Sequence, residues 1–192
     1  PGTCRGLDPE QAIRRIEAGA RHAWRFRVSR DDRPRFIDRV HGEWGADQPD
    51  APGDFVVARA DGVPAYQLAV VVDDAAMRID EVVRGDDLLG STTRQLLLYR
   101  AFGLEAPVFG HVPLLMGTDG ARLSKRHQGI TLRELRDAGR TAPDLVGWLA
   151  ARLGLRPGAA PLTARELVGG FDLAALAGAP REIVVDADVV GP

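Results

Sequence analysis

The segment Gly117-Thr118-Asp119-Gly120-Ala121-Arg122-Leu123-Ser124-Lys125-Arg126-His127 places a tight Asp-Gly turn ahead of a hydroxyl and an ammonium flanked by arginines. Three cations and a serine hydroxyl suit an anion such as a triphosphate. A lysine ammonium is a compact point charge able to follow charge that develops in phosphoryl or nucleotidyl transfer. The same residues could form a solvated basic hairpin. Residue usage weighs against that: of 25 cationic residues 24 are arginine, and Lys125 is the one lysine. Arg84 follows an apolar run and precedes Gly85-Asp86-Asp87, so its guanidinium suits either a bidentate substrate carboxylate or an ordinary ion pair with Asp86 or Asp87. Tyr66 stands in an otherwise apolar stretch, where its hydroxyl needs a core hydrogen bond or a ligand. Asp73-Asp74 and Asp86-Asp87 lack a metal-loop spacing and read as caps or solvated ends. Cys4 has no C-x-x-C partner, and His22, His41, His111 and His127 are scattered, so this chain completes no zinc site by itself. It holds no G-x-S-x-G elbow, Walker A loop or G-x-G-x-x-G turn.

These residues must be positioned by elements that the pattern makes legible. Asp8-Pro9-Glu10 supplies an N-cap, a first-position proline and a first-turn acid for a helix that Gly19 closes. Trp24, Phe26 and Val28 alternate with Arg25 and Arg27, which predicts a half-buried strand with a cationic outer face, and Phe36 to Val40 is expected to pair with it. Residues 45–53 read as a loop. Asp54 to Ala60 is a strand and Asp61-Gly62 a turn, while the run from Ala65 to Val72 fits either a buried strand or a short buried helix ending at Asp73-Asp74. Ile79 to Val83, a helix capped by Ser91 and closed by Gly103, and a strand from Val108 to Met116 form a βαβ unit with its functional loops at the carboxyl ends of the strands. Arg84 and the segment 117–128 fall at those ends. Beyond Gly129, Thr131/Glu134 and Thr163/Glu166 fit the T-x-x-E capping box. Leu145, Trp148, Leu149 and Leu153 share one face of another helix.

The chain has 192 residues, 45% of them hydrophobic and 27% charged, with a net charge of −2. That excludes a disordered tail or a uniformly basic nucleic-acid coat, so any RNA contact is a local patch. No window approaches the roughly 20 apolar residues of a membrane span, and a lone cysteine forms no internal disulfide. A reducing, cytoplasmic setting without a membrane partner is expected. The start at Pro1 reads as a piece of something longer.

Several ordered blocks resemble the glutamyl-tRNA synthetase family. They are Asp54-Phe55-Val56-Val57, Asp61-Gly62, Ala65 to Asp74, Val83-Arg84-Gly85-Asp86-Asp87-Leu88, Arg94-Gln95 and His111-Val112-Pro113-Leu114. Arg122-Leu123-Ser124-Lys125-Arg126 is similar to the KMSKS signature of class I synthetases. Within the family the likeness is to the shortened paralogue, glutamyl-Q tRNA(Asp) synthetase. Only 66 residues follow Arg126, fewer than the family's anticodon-binding domain needs. In addition, Pro1-Gly2-Thr3-Cys4-Arg5-Gly6-Leu7 is similar to the end of the paralogue's zinc-binding segment.

The resemblance implies an α/β fold: the second half of a class I Rossmann-like nucleotide-binding domain, with a small α+β insertion before it and a helical domain after it. The boundaries expected are 1–63 for the end of the zinc- and acceptor-binding insertion, 64–128 for the catalytic half with its KMSKS-type loop, and 129–192 for the helical part. It implies a monomeric ligase that uses ATP and Mg2+ to form glutamyl-adenylate and passes the glutamyl group to queuosine of tRNA(Asp), activation needing no tRNA. Tyr66 and Arg84 would bind glutamate, and Lys125 would stabilise the ATP phosphates, with Ser124 and Arg126 shaping the loop. Leu115 and Met116 would lie near the adenine, and Cys4 would be one ligand of a Zn2+. The family's HIGH-type ATP signature is absent from these residues, so the chain alone is expected to be inactive. Three other readings remain open: a glutamyl-tRNA synthetase acting on tRNA(Glu), another class I nucleotidyltransferase, and a non-catalytic RNA-binding remnant using Arg25, Arg27 and the loop from Arg122 to Arg126.

Overall fold

The structure is a computed structural model that describes residues 5–29, 31–45, 52–123 and 131–185. In chain order its elements are α1 (Pro9–Glu17), β1 (Trp24–Phe26), β2 (Arg35–Asp38), β3 (Gly42–Gly45), β4 (Phe55–Ala58), α2 (Tyr66–Met77), β5 (Glu81–Gly85), α3 (Leu89–Phe102), β6 (Val108–Val112), β7 (Leu114–Met116), α4 (Leu132–Asp137), α5 (Ala142–Arg152), α6 (Ala164–Val168) and β8 (Glu182–Val184). Sheet orders are β1-β4, β3-β2-β6-β5 and β7-β8, with β2 parallel to β6 and β7 parallel to β8. The mixed α/β character agrees with the expected class. Among the described residues no helix is long and apolar enough to cross a membrane.

Two compact units divide the chain. The first comprises Pro1–Ile37, Glu43–Val82 and Leu88–Val108. Its β1 pairs antiparallel with β4, not with residues 36–40 as the alternation suggested. The long-range partner wins because Phe26 stacks on Phe55 at 5.3 Å, and Asp54 accepts from the Val28 N–H and from the Arg5 guanidinium. Trp24 stays 59% exposed, so the predicted inward face holds only at Phe26 and Val28. The run from Ala65 is a helix, and it continues past Asp73-Asp74 to a left-handed Arg78. Only Val71 is fully buried in it, which corrects the expectation of a buried element. Helix α3 buries Leu89, Leu97, Leu98 and Tyr99, together with Gln95, whose amide donates to Gln67 of α2 at 2.8 Å. Ser91 does not cap α3: the chain enters from a 3-10 turn at Asp86–Leu88, leaving Ser91 inside the helix. Gly103 closes it with φ of 65°, as expected from the glycine.

The second unit comprises Asp38–Gly42, Val83–Asp87 and Phe109–Pro192. The predicted strand from Val108 to Met116 is two strands in different sheets, split at Pro113, which has no N–H to give a ladder. The tail is not wholly helical either. Its β8 lies parallel to β7, with Leu115 opposite Ile183. All three short helices begin in capping boxes, at Thr131/Glu134, Thr141/Asp144 and Thr163/Glu166, the middle one unforeseen. The apolar face read on α5 finds its partner here: Trp148 packs with Leu135, Ile183 and Val185, and Leu115, Leu123, Leu145, Leu149 and Leu153 surround that core.

Candidate functional site

Arg84 is the next-to-last residue of β5, half-buried within the second unit. Its Nε–H donates to His111 Nε2 at 3.0 Å, and its guanidinium carbon lies 5.3 Å from the centre of the Phe109 ring. On the far side of the imidazole, His111 Nδ1 is 2.6 Å from Asp38 Oδ2. An arginine Nε can only donate, so His111 Nε2 is the acceptor and the ring proton sits on Nδ1, facing the carboxylate. Both Asp38 and His111 are sealed from solvent. Asp38 is anchored further by the backbone N–H groups of Val40, His41 and His111, all donating to Oδ1. Burial pushes its carboxyl up, but the hydrogen bonds from His111 and these three amides outweigh that, so it is held below the usual carboxylate range.

The two carboxylates after Arg84 hold neighbouring segments. Asp86 is buried and accepts from Arg181 Nε at 2.8 Å and Nη2 at 2.6 Å, with His41 Nε2 2.9 Å away. Asp87 pairs with Arg122. Neither acts as the cap or solvated end that adjacency suggested. Gly85 makes this turn possible: a Cβ there would lie 2.7 Å from Asp87 Oδ1 and 3.0 Å from Leu114 Cδ2.

The basic loop opens as a hairpin. Gly117 N–H donates to Ala121 O, Asp119 Oδ1 accepts from Ala121 N–H, and Gly120 has φ of 74°. Arg122 bridges back to Met116, and Leu123 N–H donates to Leu115 O. Residues 117–123 thus leave β7 as a turn anchored by backbone hydrogen bonds and by the Arg122–Asp87 pair. Ser124, Lys125 and Arg126 lie outside the described residues. Of the two residues assigned to the adenine, Leu115 packs beside the Trp148 core and Met116 is buried opposite Val184.

Tyr66 begins α2 in the first unit and is 53% exposed, so its hydroxyl needs no core partner and the core alternative falls away. Arg25, proposed for RNA, gives an Nη2 hydrogen bond to Asp54 O at 2.6 Å and so helps to hold β1 on β4. Cys4 also lies outside the described residues. Among the described residues no group of three or more His, Cys, Asp or Glu side chains could hold a metal, so nothing in them fits the zinc expectation. The residues that sequence reasoning missed are Asp38 and Arg181, and His41 was noticed only as one of four scattered histidines. His111 was noticed only as part of a motif and as one of four scattered histidines. Its place in an apolar strand was the available signal, and nothing local linked it to Asp38, 73 residues away.

The family model for tRNA synthetases class I (E and Q), catalytic domain, matches residues 1–171. The chain belongs to that family. Over 184 residues it is 50% identical to a glutamyl-Q tRNA(Asp) synthetase of Symbiobacterium thermophilum, covering 96% of this chain and 55% of that protein. It is 43% identical over 186 residues to a glutamate–tRNA ligase of Halorhodospira halophila, covering 97% of this chain and 39% of the ligase. A crystal structure of a glutamate tRNA ligase from Elizabethkingia meningosepticum, in complex with its amino acid, superposes with a TM-score of 0.73 at 25% identity, over 97% of this chain and 40% of that one. The synthetase domain described here therefore spans about half the length of the glutamyl-Q relative, and those relatives are ligases of the class I aminoacyl-tRNA synthetase type.

Proposed function

We propose that the protein activates glutamate with ATP and transfers the glutamyl group to the queuosine base of tRNA(Asp). In the first step a glutamate α-carboxylate oxygen bonds to the α-phosphorus of ATP as the α–β anhydride breaks and pyrophosphate leaves. In the second a nucleophile of the acceptor bonds to the acyl carbon and AMP leaves. The observation that carries this reading is Arg84: a half-buried guanidinium at a strand end, oriented by a buried histidine, in the family's glutamate-binding motif. Such a group takes a substrate carboxylate by charge-assisted hydrogen bonds. The motif match assigns Tyr66 to the same substrate, and Lys125, with Mg2+, to the ATP phosphates, where an ammonium offsets charge developing on the leaving group. The names of the most similar curated relatives favour the queuosine acceptor.

The test is glutamate-dependent ATP–pyrophosphate exchange by the product of the whole reading frame, with and without tRNA. Exchange without tRNA, followed by glutamylation of queuosine-bearing tRNA(Asp), supports the reading. Exchange only with tRNA(Glu) moves the protein to the glutamate–tRNA ligases. These 192 residues alone, which hold no HIGH-type signature, are expected to give no exchange. In the active protein Arg84→Ala is expected to raise the KM for glutamate about 10- to 100-fold, the loss of one or two charged hydrogen bonds.

A further inference from the structure

We propose that Asp38 and His111 form a positioning relay that sets the orientation of Arg84 for an anionic substrate, an inference that rests on the glutamate reading of Arg84. Three observations carry it. Among the described residues of the second unit, Asp38 and His111 are the most enclosed polar pair, at 1% and 0% exposure. Their contacts run in one chain, Asp38 Oδ2 to His111 Nδ1 at 2.6 Å and His111 Nε2 to Arg84 Nε at 3.0 Å. The second face of the arginine is fixed by the Phe109 ring, itself stacked on His111 with centroids 6.3 Å apart. A guanidinium restrained at Nε and over an aromatic face has lost its rotamer freedom before substrate arrives, which lowers the entropic cost of binding.

The polarity of the relay matters as much as its geometry. A buried carboxylate facing Nδ1 selects the tautomer whose Nε2 lone pair is turned to Arg84. The acceptor at Nε is then a neutral imidazole, and the negative charge of Asp38 is held one ring behind it. The contrast lies within the same unit: Arg181 is gripped directly and through two nitrogens by the Asp86 carboxylate, a contact that ties down a segment.

Asp38→Asn isolates the relay. The amide oxygen can keep the three backbone N–H bonds that Oδ1 accepts, while its NH2 replaces Oδ2 and donates to His111 Nδ1. The ring proton must then move to Nε2, where it opposes the Arg84 N–H donor to donor. The same logic governs the serine-protease Asp→Asn exchange. In the product of the whole reading frame, Asp38→Asn is expected to raise the glutamate KM about 10-fold and to lower selectivity for glutamate over glutamine, leaving the ATP KM unchanged. Adding His111→Gln, whose Oε1 can sit where Nε2 was and accept from Arg84, should recover most of that loss, a non-additivity that a purely structural role does not produce. A glutamate KM unchanged in Asp38→Asn, or glutamate and ATP KM raised by the same factor, overturns the relay. If Arg84→Ala also leaves the glutamate KM unchanged, the parent reading fails with it; if Arg84→Ala raises it and Asp38→Asn does not, only the relay fails. A measurement independent of folding variants is nitrogen-15 NMR of the unmodified protein: His111 protonated at Nδ1 supports the relay, and protonation at Nε2 alone overturns it.

Discussion

The short helices between Thr131 and Val168 and the strand ends around Arg84 both satisfy polar groups, over very different distances along the chain. At the helices the partners are three residues apart: each threonine hydroxyl accepts the N–H of an acid that reaches back to the threonine N–H. Around Arg84 the partners are 73 and 27 residues apart and converge only when β2, β5 and β6 lie together. The caps are exposed and replaceable by water, so each contributes modestly. Asp38 and His111 are closed off from water, so neither can lose its partner without leaving a buried polar group unmatched. Closeness in sequence makes an interaction easy to form, and burial makes it costly to lose.

The contrast breaks most visibly at His111. Replacing it by Leu leaves the Asp38 carboxylate buried with only its backbone donors, and a loss of about 3 kcal/mol is expected in urea unfolding. A loss below that of a single cap would show the centre to be no more costly to break than the surface. Next comes Gly147 in α5, where a Cβ would sit 2.1 Å from the Ala160 carbonyl oxygen. Backbone cannot move aside as a side chain can, so Gly147→Ala is expected to cost about 2 kcal/mol, read as a lower unfolding midpoint. Thr141→Ala removes one capping box and is expected to cost about 1 kcal/mol, visible as a melting temperature lower by a few degrees.

Acid sharpens the comparison least but reaches both regions at once. Hydrogen bonds from Thr131, Thr141 and Thr163 hold Glu134, Asp144 and Glu166 below their ordinary values, and Asp38 is held low by His111 and three amides against the opposing effect of burial. A carboxyl held low in the folded protein adds stability that is complete above its unfolded pKa and is lost as pH falls through the folded one. Stability carried by these groups should therefore be level above about pH 5 and fall below about pH 4. Removing a cap threonine should flatten that fall slightly, as followed by unfolding midpoints across the range.

Local chemistry was legible at several places where a few adjacent residues decide the outcome, the Thr141/Asp144 box and the entry into α3 being the exceptions. The Thr-x-x-Glu boxes, the Asp119-Gly120 turn, the closure of α3 at Gly103 and the apolar face of α5 all follow from spacing and backbone preference. Arg84 could be singled out as a cation at a strand end, and the ordered motifs brought the family within reach. The strand partners could not be read. β1 chose β4 through the Phe26–Phe55 stack and the Asp54 contacts, and an alternating pattern says which face is apolar without saying what will cover it.

The amino-acid sequence by itself determined the starts of α4 and α6, the Asp-Gly turns, the reactive residue types and the family motifs, because each depends on chemistry within a few positions. Tertiary structure alone decided that the acids beside Arg84 would hold Arg181 and Arg122, and that Arg84 would meet an imidazole backed by Asp38. Those contacts depend on which strands lie side by side, and that choice is made by the burial of the whole unit, not by any short stretch of the chain.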